Sequence, residues 1–498
     1  MIVAHDLGTT GDKASLHDDD GRLVAAVTVH YDTRYAAGGV AEQDPRAWWR
    51  ACCEATRRLL VETGTPTEKV RALGLSGQMM GAVFLDHRHQ PLRPAMIWAD
   101  HRSTPQAARI GQRVSVEEAY RITGHRLNPT YSLTKIAWVR ENEPDAFART
   151  KFVCQAKDYV VARLTGRGAT DPSDASSTNA YDQEAAGWRS ACSRRRTSTR
   201  SYCPRSCPRR RSSARCSRGL PTSSAYALAR RSSSAGATGP LAAIGAGVVT
   251  PEDGAYLYLG SSSWVSFSAA APLYDPQMRT MTFNHVVPGL FVPTATMVAG
   301  AGSLQWVSDV LAPHSAGAEI ETLLAEAAHA VGLDDHLYFL PHLLGERSPH
   351  WNPAARGAFV GLSPAHARGD LVRALLEGVV LNLLTCVEAF RGCGAEVAEV
   401  AAIGGGAKSD LWLQLFADAF GVPVTRRNIV DEANSLGAAV TAGVGAGVLD
   451  DFTVARTLSA ETARFLPDPS RADLIRLAHE TWISTYRALE SSFPAGAE

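Results

Sequence analysis

Fifty consecutive residues, Arg189 to Thr238, contain no Asp, Glu, Lys, Val, Ile, Phe or Met, while thirteen are Arg and thirteen are Ser. Four of the nine cysteines (Cys192, Cys203, Cys207, Cys216) fall in the same stretch. A segment so composed cannot bury enough apolar surface to offset the entropy of ordering its backbone, so the rest of the chain must fold around it. Three readings compete. A basic arm for nucleic acid would use the clusters Arg194 to Arg196 and Arg209 to Arg211, but Lys and Gly are not interleaved and the block interrupts a domain. A disordered Ser/Arg insertion is the second. The third is a G+C-rich coding sequence read out of frame. With G/C-ending codons and a two-base shift, Arg189 to Thr199 becomes Val-Gly-Leu-Leu-Ala-Ala-Ala-Asp-Val-Asp, a helix pattern. Arg231 to Pro240 becomes Val-Val-Val-Gly-Gly-Arg-Asp-Gly-Pro, a buried strand ending in an acidic turn. We favour the frameshift, because the missing Val, Ile, Asp and Glu support it whatever codons are chosen. On that reading the first domain loses a helix and a strand that it was built to bury.

The remainder reads as an ordinary enzyme. At 498 residues the chain is long enough for two domains with large cores. The formal charge of zero is misleading: without the block arginines, 37 basic residues face 50 acidic ones, a net charge of −13. That argues against nucleic acid as a partner. Cys52, Cys53, Cys154, Cys386 and Cys393 lack paired metal-site spacing and are expected as reduced, buried thiols. The opening MIVAHDLG enters a strand at once, without a signal-peptide pattern. No apolar run approaches a membrane span. A cytoplasmic location is expected.

Strands are predicted at Ile2 to Asp6, Lys13 to His17, Arg22 to Tyr31, Ala72 to Leu75, Ala82 to Leu85 and Ala255 to Leu259. Helices are predicted over 45–63 (Trp48, Cys52, Ala55 and Leu59 share a face), 104–113, 133–142, 157–164, 302–311, 318–330, 369–391 and 408–420. Alternating strands and helices indicate an α/β fold. Each half carries a strand followed by a small-residue turn, DLGTT after Val3 and LGSSS after Tyr256, which suggests a duplicated domain closing over a central cleft.

Asp6-Leu7-Gly8-Thr9-Thr10-Gly11, with Lys13 beyond, can present backbone N–H and hydroxyl groups to phosphate, and Asp6 at the strand end can hold Mg²⁺. Alone it reads equally well as an ordinary turn. Gly260-Ser261-Ser262 repeats the chemistry in the second half. Gly404-Gly405-Gly406, with Ser409 beyond, follows the apolar strand Val400 to Ile403 and opens a helix, where glycines permit close approach of a nucleotide and the helix N-terminus favours an anion.

With these motifs the chain resembles the FGGY carbohydrate kinases, and within them those acting on xylulose, over residues 1–188 and 239–490. The resemblance also rests on Glu42-Gln43-Asp44-Pro45 with Trp48-Trp49, Ser76-Gly77-Gln78-Met79-Met80-Gly81, and Trp98-Ala99-Asp100-His101-Arg102. Lys135 to Trp138, Lys157-Asp158-Tyr159, Gly345 to Pro349, Gly357 to Leu362 and Ser435 to Ala439 complete it. It implies two RNase H-like domains of the actin-like ATPase fold, here 1–240 for sugar and 241–498 for ATP. ATP-Mg²⁺ would lie at Gly8, Thr9, Thr10, Lys13, Gly260, Ser261, Ser262, Gly302, Gly404, Gly405, Gly406 and Ser409. The sugar would lie at Gln78, Met79, Met80, Trp98, Asp100 and Arg102. D-xylulose is the expected substrate, another ketose or polyol the alternative, and a homodimer is compatible with the family.

Two positions depart from the family pattern. Met80 stands where a histidine usually donates a hydrogen bond to the sugar, and Met79 and Met80 can equally be packing residues. Thr238 stands where the family has the aspartate that takes the proton from the attacking hydroxyl, and a threonine is not basic near neutral pH. The shifted frame restores Asp there. As rivals to a kinase stand a non-catalytic ATP-binding protein and a chaperone-like ATPase. The motifs at 76–81 and 98–102 have no purpose in the latter.

Overall fold

The computed structural model describes residues 1–188, 205–206, 233–311 and 318–493. Most of the Arg/Ser block, including its four cysteines, lies outside them.

The first domain is built on a five-stranded sheet. Its strands are β1 (Ile2–Leu7), β2 (Gly11–His17), β3 (Leu23–His30), β4 (Ala72–Gly77) and β5 (Ser233–Ala237), in the spatial order β5-β4-β1-β2-β3. The first three form an antiparallel meander, and β4 and β5 run parallel to β1. Helix α1 (Pro45–Glu62) starts at Asp44, whose side chain accepts from the Arg46 N–H, with Pro45 pre-set for the first turn. Its buried face, Trp48, Cys52, Ala55 and Leu59, is the one the 3.6-residue period marks. Ala55 and Leu59 pack with Val3, Ala14 and Leu16.

Strand β5 corrects one expectation. The first sheet keeps its last strand, with Ser233 to Ala237 in register beside Leu73 to Gly77. Parallel pairing is a backbone property, and the small residues of β5 meet no steric bar in it.

The second sheet has seven strands: β6 (Ala255–Leu259), β7 (Ser263–Phe267), β8 (Met281–Asn284), β9 (Phe291–Met297), β10 (Val400–Ile403), β11 (Val424–Arg427) and β12 (Glu461–Phe465). They lie in the order β8-β9-β7-β6-β10-β11-β12. The run β9-β7-β6-β10-β11 repeats β3-β2-β1-β4-β5, with antiparallel pairs on one side of the central strand and parallel pairs on the other. The duplication inferred from the two turns is therefore a duplication of topology, and β5 is the counterpart of β11.

After β5 comes α2 (Thr238–Gly245), and after β11 comes α3 (Ala433–Ala446). These helices pack against each other where the two domains meet. A Cβ on Gly245 would fall 1.8 Å from the Ala433 carbonyl oxygen, and one on Gly437 would fall 2.0 Å from that of Leu241. Backbones this close leave no room for a side chain. Leu241, Ile244, Leu436 and Val440 join Ile2, Ala4 and Ala72 in one core, so α3 seals the first sheet although it belongs to the distal part of the chain. Helix α3 was not predicted. Its sequence, ANSLGAAVTAGVGA, is apolar or small on every side and carries no amphipathic stripe.

Candidate active site

The turn between β1 and β2 is closed by the Gly8 N–H donating to the Gly11 carbonyl at 3.0 Å. It leaves Asp6 at the end of a fully buried strand, opposite Lys13 in the register. Ser76 Oγ donates to Asp6 Oδ1 at 2.7 Å, and Asn434 Nδ2 donates to Oδ2 at 3.0 Å. Burial raises the proton affinity of this carboxylate, against the effect of both hydrogen bonds and of Lys13. Thr10 and Lys13 are exposed, and Gly8 and Thr9 partly so.

On the second domain, the Ala301 N–H donates to the Gly260 carbonyl at 2.8 Å, and the Gly300 and Gly302 N–H groups converge on the Ser261 carbonyl at 3.0 and 3.2 Å. Gly404 has φ +88°, and a Cβ there would lie 2.7 Å from the Leu259 carbonyl oxygen, which only glycine avoids. Gly405 faces open space, its nearest neighbour from a built Cβ being Asp431 Oδ1 at 3.9 Å. Ser409 caps the following helix, Asp410–Phe420, by accepting from the Trp412 N–H. The glycines at 260, 302 and 404–406 thus gather around the end of β6. The Gly404 N–H donates to the Val430 carbonyl at 2.8 Å, and Asn434, four residues further on, reaches Asp6, which links the 404–406 turn to the Asp6 turn.

The 76–81 loop touches the first turn directly. The Gln78 N–H donates to the Leu7 carbonyl at 2.9 Å, and its Nε2 donates to the Gly8 carbonyl at 3.2 Å and to Gln43 Oε1 at 2.7 Å. Trp98 Nε1 donates to Thr9 Oγ1 at 3.0 Å. Met79 is partly exposed beside Gly239, its sulfur 3.9 Å from a Cβ built there. Met80 is the more deeply buried of the two, and Met79 and Trp98 pack against the same apolar cluster. At φ +67° and 6 % exposure it enters a cluster with Tyr131, Met281, Phe283 and Val292, the last three from the second domain. The Met80 backbone is held by Ser177 Oγ on its N–H and by Lys135 Nζ on its carbonyl, at 3.4 and 3.0 Å. Lys135 is wholly buried, and burial pulls its ammonium down to about 7.

Asp100 and Arg102 are spent on each other. Asp100 is fully buried, accepts from the Ala41 N–H at 2.9 Å, and is forked by Arg102 Nε and Nη2 at 3.0 and 2.6 Å. Arg102 also reaches Glu42, which Arg93 holds from another side. Both side chains therefore hold the 98–102 segment to the 41–42 strand residues.

At the start of α2, the Ala237 N–H donates to Ser173 Oγ at 3.0 Å, and among the described residues the buried Thr238 Oγ1 has no hydrogen-bond partner. No carboxylate is present at this position. Three residues escaped sequence reasoning as site components: Asn434, Lys135 and Arg347. Arg347 reaches from the second domain to lie 5.1 Å over the Trp98 ring. The signal available was a polar residue in an otherwise small or apolar run for Asn434. For Lys135 and Arg347 it was membership of a motif whose other residues drew attention first.

Two topologically duplicated domains, each with a central strand followed by a phosphate-type turn, define an actin-like ATPase architecture. Residues 1–204 match the N-terminal domain of the FGGY family of carbohydrate kinases, and residues 255–446 match its C-terminal domain. The chain is 31 % identical to the xylulose kinase of Escherichia coli (strain K12), covering 98 % of this chain and 99 % of the relative. It is 29 % identical to that of Bacillus subtilis (strain 168), covering 97 % and 96 %. The solved structure of a xyloylose kinase from Brucella ovis superposes with a TM-score of 0.87 at 28 % identity, covering 98 % of this chain and 99 % of that one. The chain belongs to the FGGY family of carbohydrate kinases and is an enzyme of sugar phosphorylation. Among the described residues no helix is long and apolar enough to cross a membrane.

Proposed function

We propose that the protein transfers the γ-phosphoryl group of ATP to the terminal hydroxyl of D-xylulose in the cytoplasm, as a monomer or homodimer. Residues 1–240 form the sugar-binding domain and 241–498 the nucleotide-binding domain. The observation that carries this reading is the link between Asp6 and the 404–406 turn through Asn434 and the Val430 carbonyl, with Gly404 packed against Leu259 just before the 260–262 turn, beside a loop that touches the Asp6 turn through Gln78. The full-length likeness to xylulose kinases supports the choice of sugar.

In this reading the 260–262 and 404–406 turns, Gly302 and Ser409 cradle the nucleotide with backbone N–H groups, while Thr9, Thr10 and Lys13 face its terminal phosphate. The hard oxygen donors of Asp6 suit Mg²⁺, and the raised proton affinity of that carboxylate is relieved by a cation beside it. When bound, the ion supplies neutralisation of charge on the transferred phosphoryl group. Gln78, Met79 and Trp98 line the sugar side, and closure excludes water from the reacting atoms.

The step this chain does not equip is deprotonation of the attacking hydroxyl, since Thr238 supplies no base. We attribute that to a frameshift across 189–238. Isothermal titration tests the binding half of the proposal: D-xylulose and Mg-ADP should both bind, each tightening the other. Nucleotide binding unchanged by every ketose and polyol tried would refute it. A second reading, a kinase for another ketose or polyol, draws on Met80, whose side chain offers no donor and is turned into the interdomain cluster.

A further inference from the structure

Arg347 comes from the second domain, yet its guanidinium lies over the Trp98 ring of the first, 5.1 Å from the centroid. Its charge acts on Lys135, His101 and Tyr131, all on the sugar side. Among the described residues it makes no side-chain hydrogen bond or ion pair, and its Nη2 is buried with no partner. The neighbouring carboxylate does not serve it. Glu346 Oε1 accepts from the Val298 and Arg347 backbone N–H groups, and Oε2 accepts from His342 Nδ1 and Asn382 Nδ2. The Tyr131 hydroxyl faces His125 Nδ1. The backbone around the arginine is nonetheless fixed, through Ser348 N–H to the Thr296 carbonyl and Glu346 N–H to the Asn352 carbonyl.

A guanidinium held in place, half-buried and left without an acceptor carries an uncompensated desolvation cost. Its guanidinium carbon already lies 5.1 Å from an aromatic ring centroid, a cation–π contact that holds the charge beside Trp98. Trp98 is itself tied to the phosphate turn through Thr9. We propose that Arg347 is a substrate-binding residue: its free N–H donors take oxygens of the acceptor sugar from the second domain, while Gln78, Met79 and Trp98 hold it from the first. This rests on the kinase reading above and adds a residue that ties sugar binding to domain closure.

The test is isothermal titration of the full chain with D-xylulose, D-ribulose, xylitol and D-gluconate, with ADP affinity as the control for folding. In Arg347→Met, whichever compound the unaltered chain binds should lose about 10- to 100-fold in affinity, the range for a hydrogen bond to a charged donor. ADP affinity should hold. Arg347→Lys should lose less, and added methylguanidinium should restore part of the Arg347→Met loss, which a purely structural role would not allow. Binding of a compound other than D-xylulose, lost in Arg347→Met, would refute the choice of sugar and keep the inference. D-xylulose binding within twofold in Arg347→Met would keep the sugar and overturn the inference, as would binding of no compound by the unaltered chain.

Discussion

Asn434, in the first turn of α3, donates from Nδ2 to Oδ2 of Asp6 at 3.0 Å, joining residues 428 positions apart. The hydrogen bond orients a carboxylate oxygen that no described first-domain residue holds, and it does so from the helix that seals the first sheet. Asn434→Ala leaves Asp6 Oδ2 buried without that donor. The variant should lose about 1–3 kcal/mol of stability, measured by urea unfolding, and should weaken Mg-ADP binding more than ADP binding without the metal. Equal stability and equal metal dependence would show that the contact is incidental.

The helix pair α2–α3 makes a steric prediction. Gly437→Ala would drive a methyl group to 2.0 Å from the Leu241 carbonyl, with backbone on both sides. Overpacking of this kind costs about 1–3 kcal/mol or more, so the melting temperature should fall by several degrees. Gly392→Ala, at a helix end with nothing within 4 Å of the built Cβ, should be neutral or stabilise by up to about 1 kcal/mol. The two substitutions add the same atom and should move thermal stability in opposite directions.

Lys135 makes a prediction in pH. Its ammonium is pulled from the ordinary lysine value down to about 7 by burial. Between pH 7 and pH 10 the unfolded chain binds this proton and the folded chain does not, so the group adds stability as pH rises through that window. Below pH 7 both states are protonated and the contribution is flat. Lys135→Met removes the term, so its stability relative to the unaltered protein should worsen from pH 7 to pH 10 by roughly several kcal/mol. Parallel stability curves for the two proteins across this range would contradict the assignment.

Much of the fold was legible because it rests on periodicity. The strands β1, β2, β3, β4 and β6 and helix α1 follow the alternation or helical spacing of their apolar residues, and the two small-residue turns disclosed the duplicated topology. Helix α3 was hidden because burial on all sides erases amphipathicity. Strand β5 was expected to be lost because a shifted frame replaces its apolar side chains by Ser-Ser-Ala-Gly-Ala, while its parallel partner supplies the hydrogen bonds regardless. At the site, the turns were legible from glycines and Asp6. Composition could not reveal that Asp100 and Arg102 neutralise each other, that Met80 is buried in a cluster with second-domain residues, or that Arg347 crosses between domains. Asp100 and Arg102 are only two positions apart, but their pairing depends on a local backbone turn that composition does not encode, and Arg347 meets Trp98 across 249 positions of chain.

The measurement that bears most directly on this account is the rate of D-xylulose-dependent ADP release from Mg-ATP by three chains: the sequence as it stands, Thr238→Asp, and a chain with the alternative frame restored over 189–238. Loss of a general base costs about 10²–10⁴-fold. The unaltered chain should therefore be slower than the restored one by at least about that factor while still binding ADP. Thr238→Asp should regain part of the rate, because β5 already sets the turn in register with β4. Full and equal xylulose kinase activity in all three would contradict the account, since some other residue would then be taking the proton.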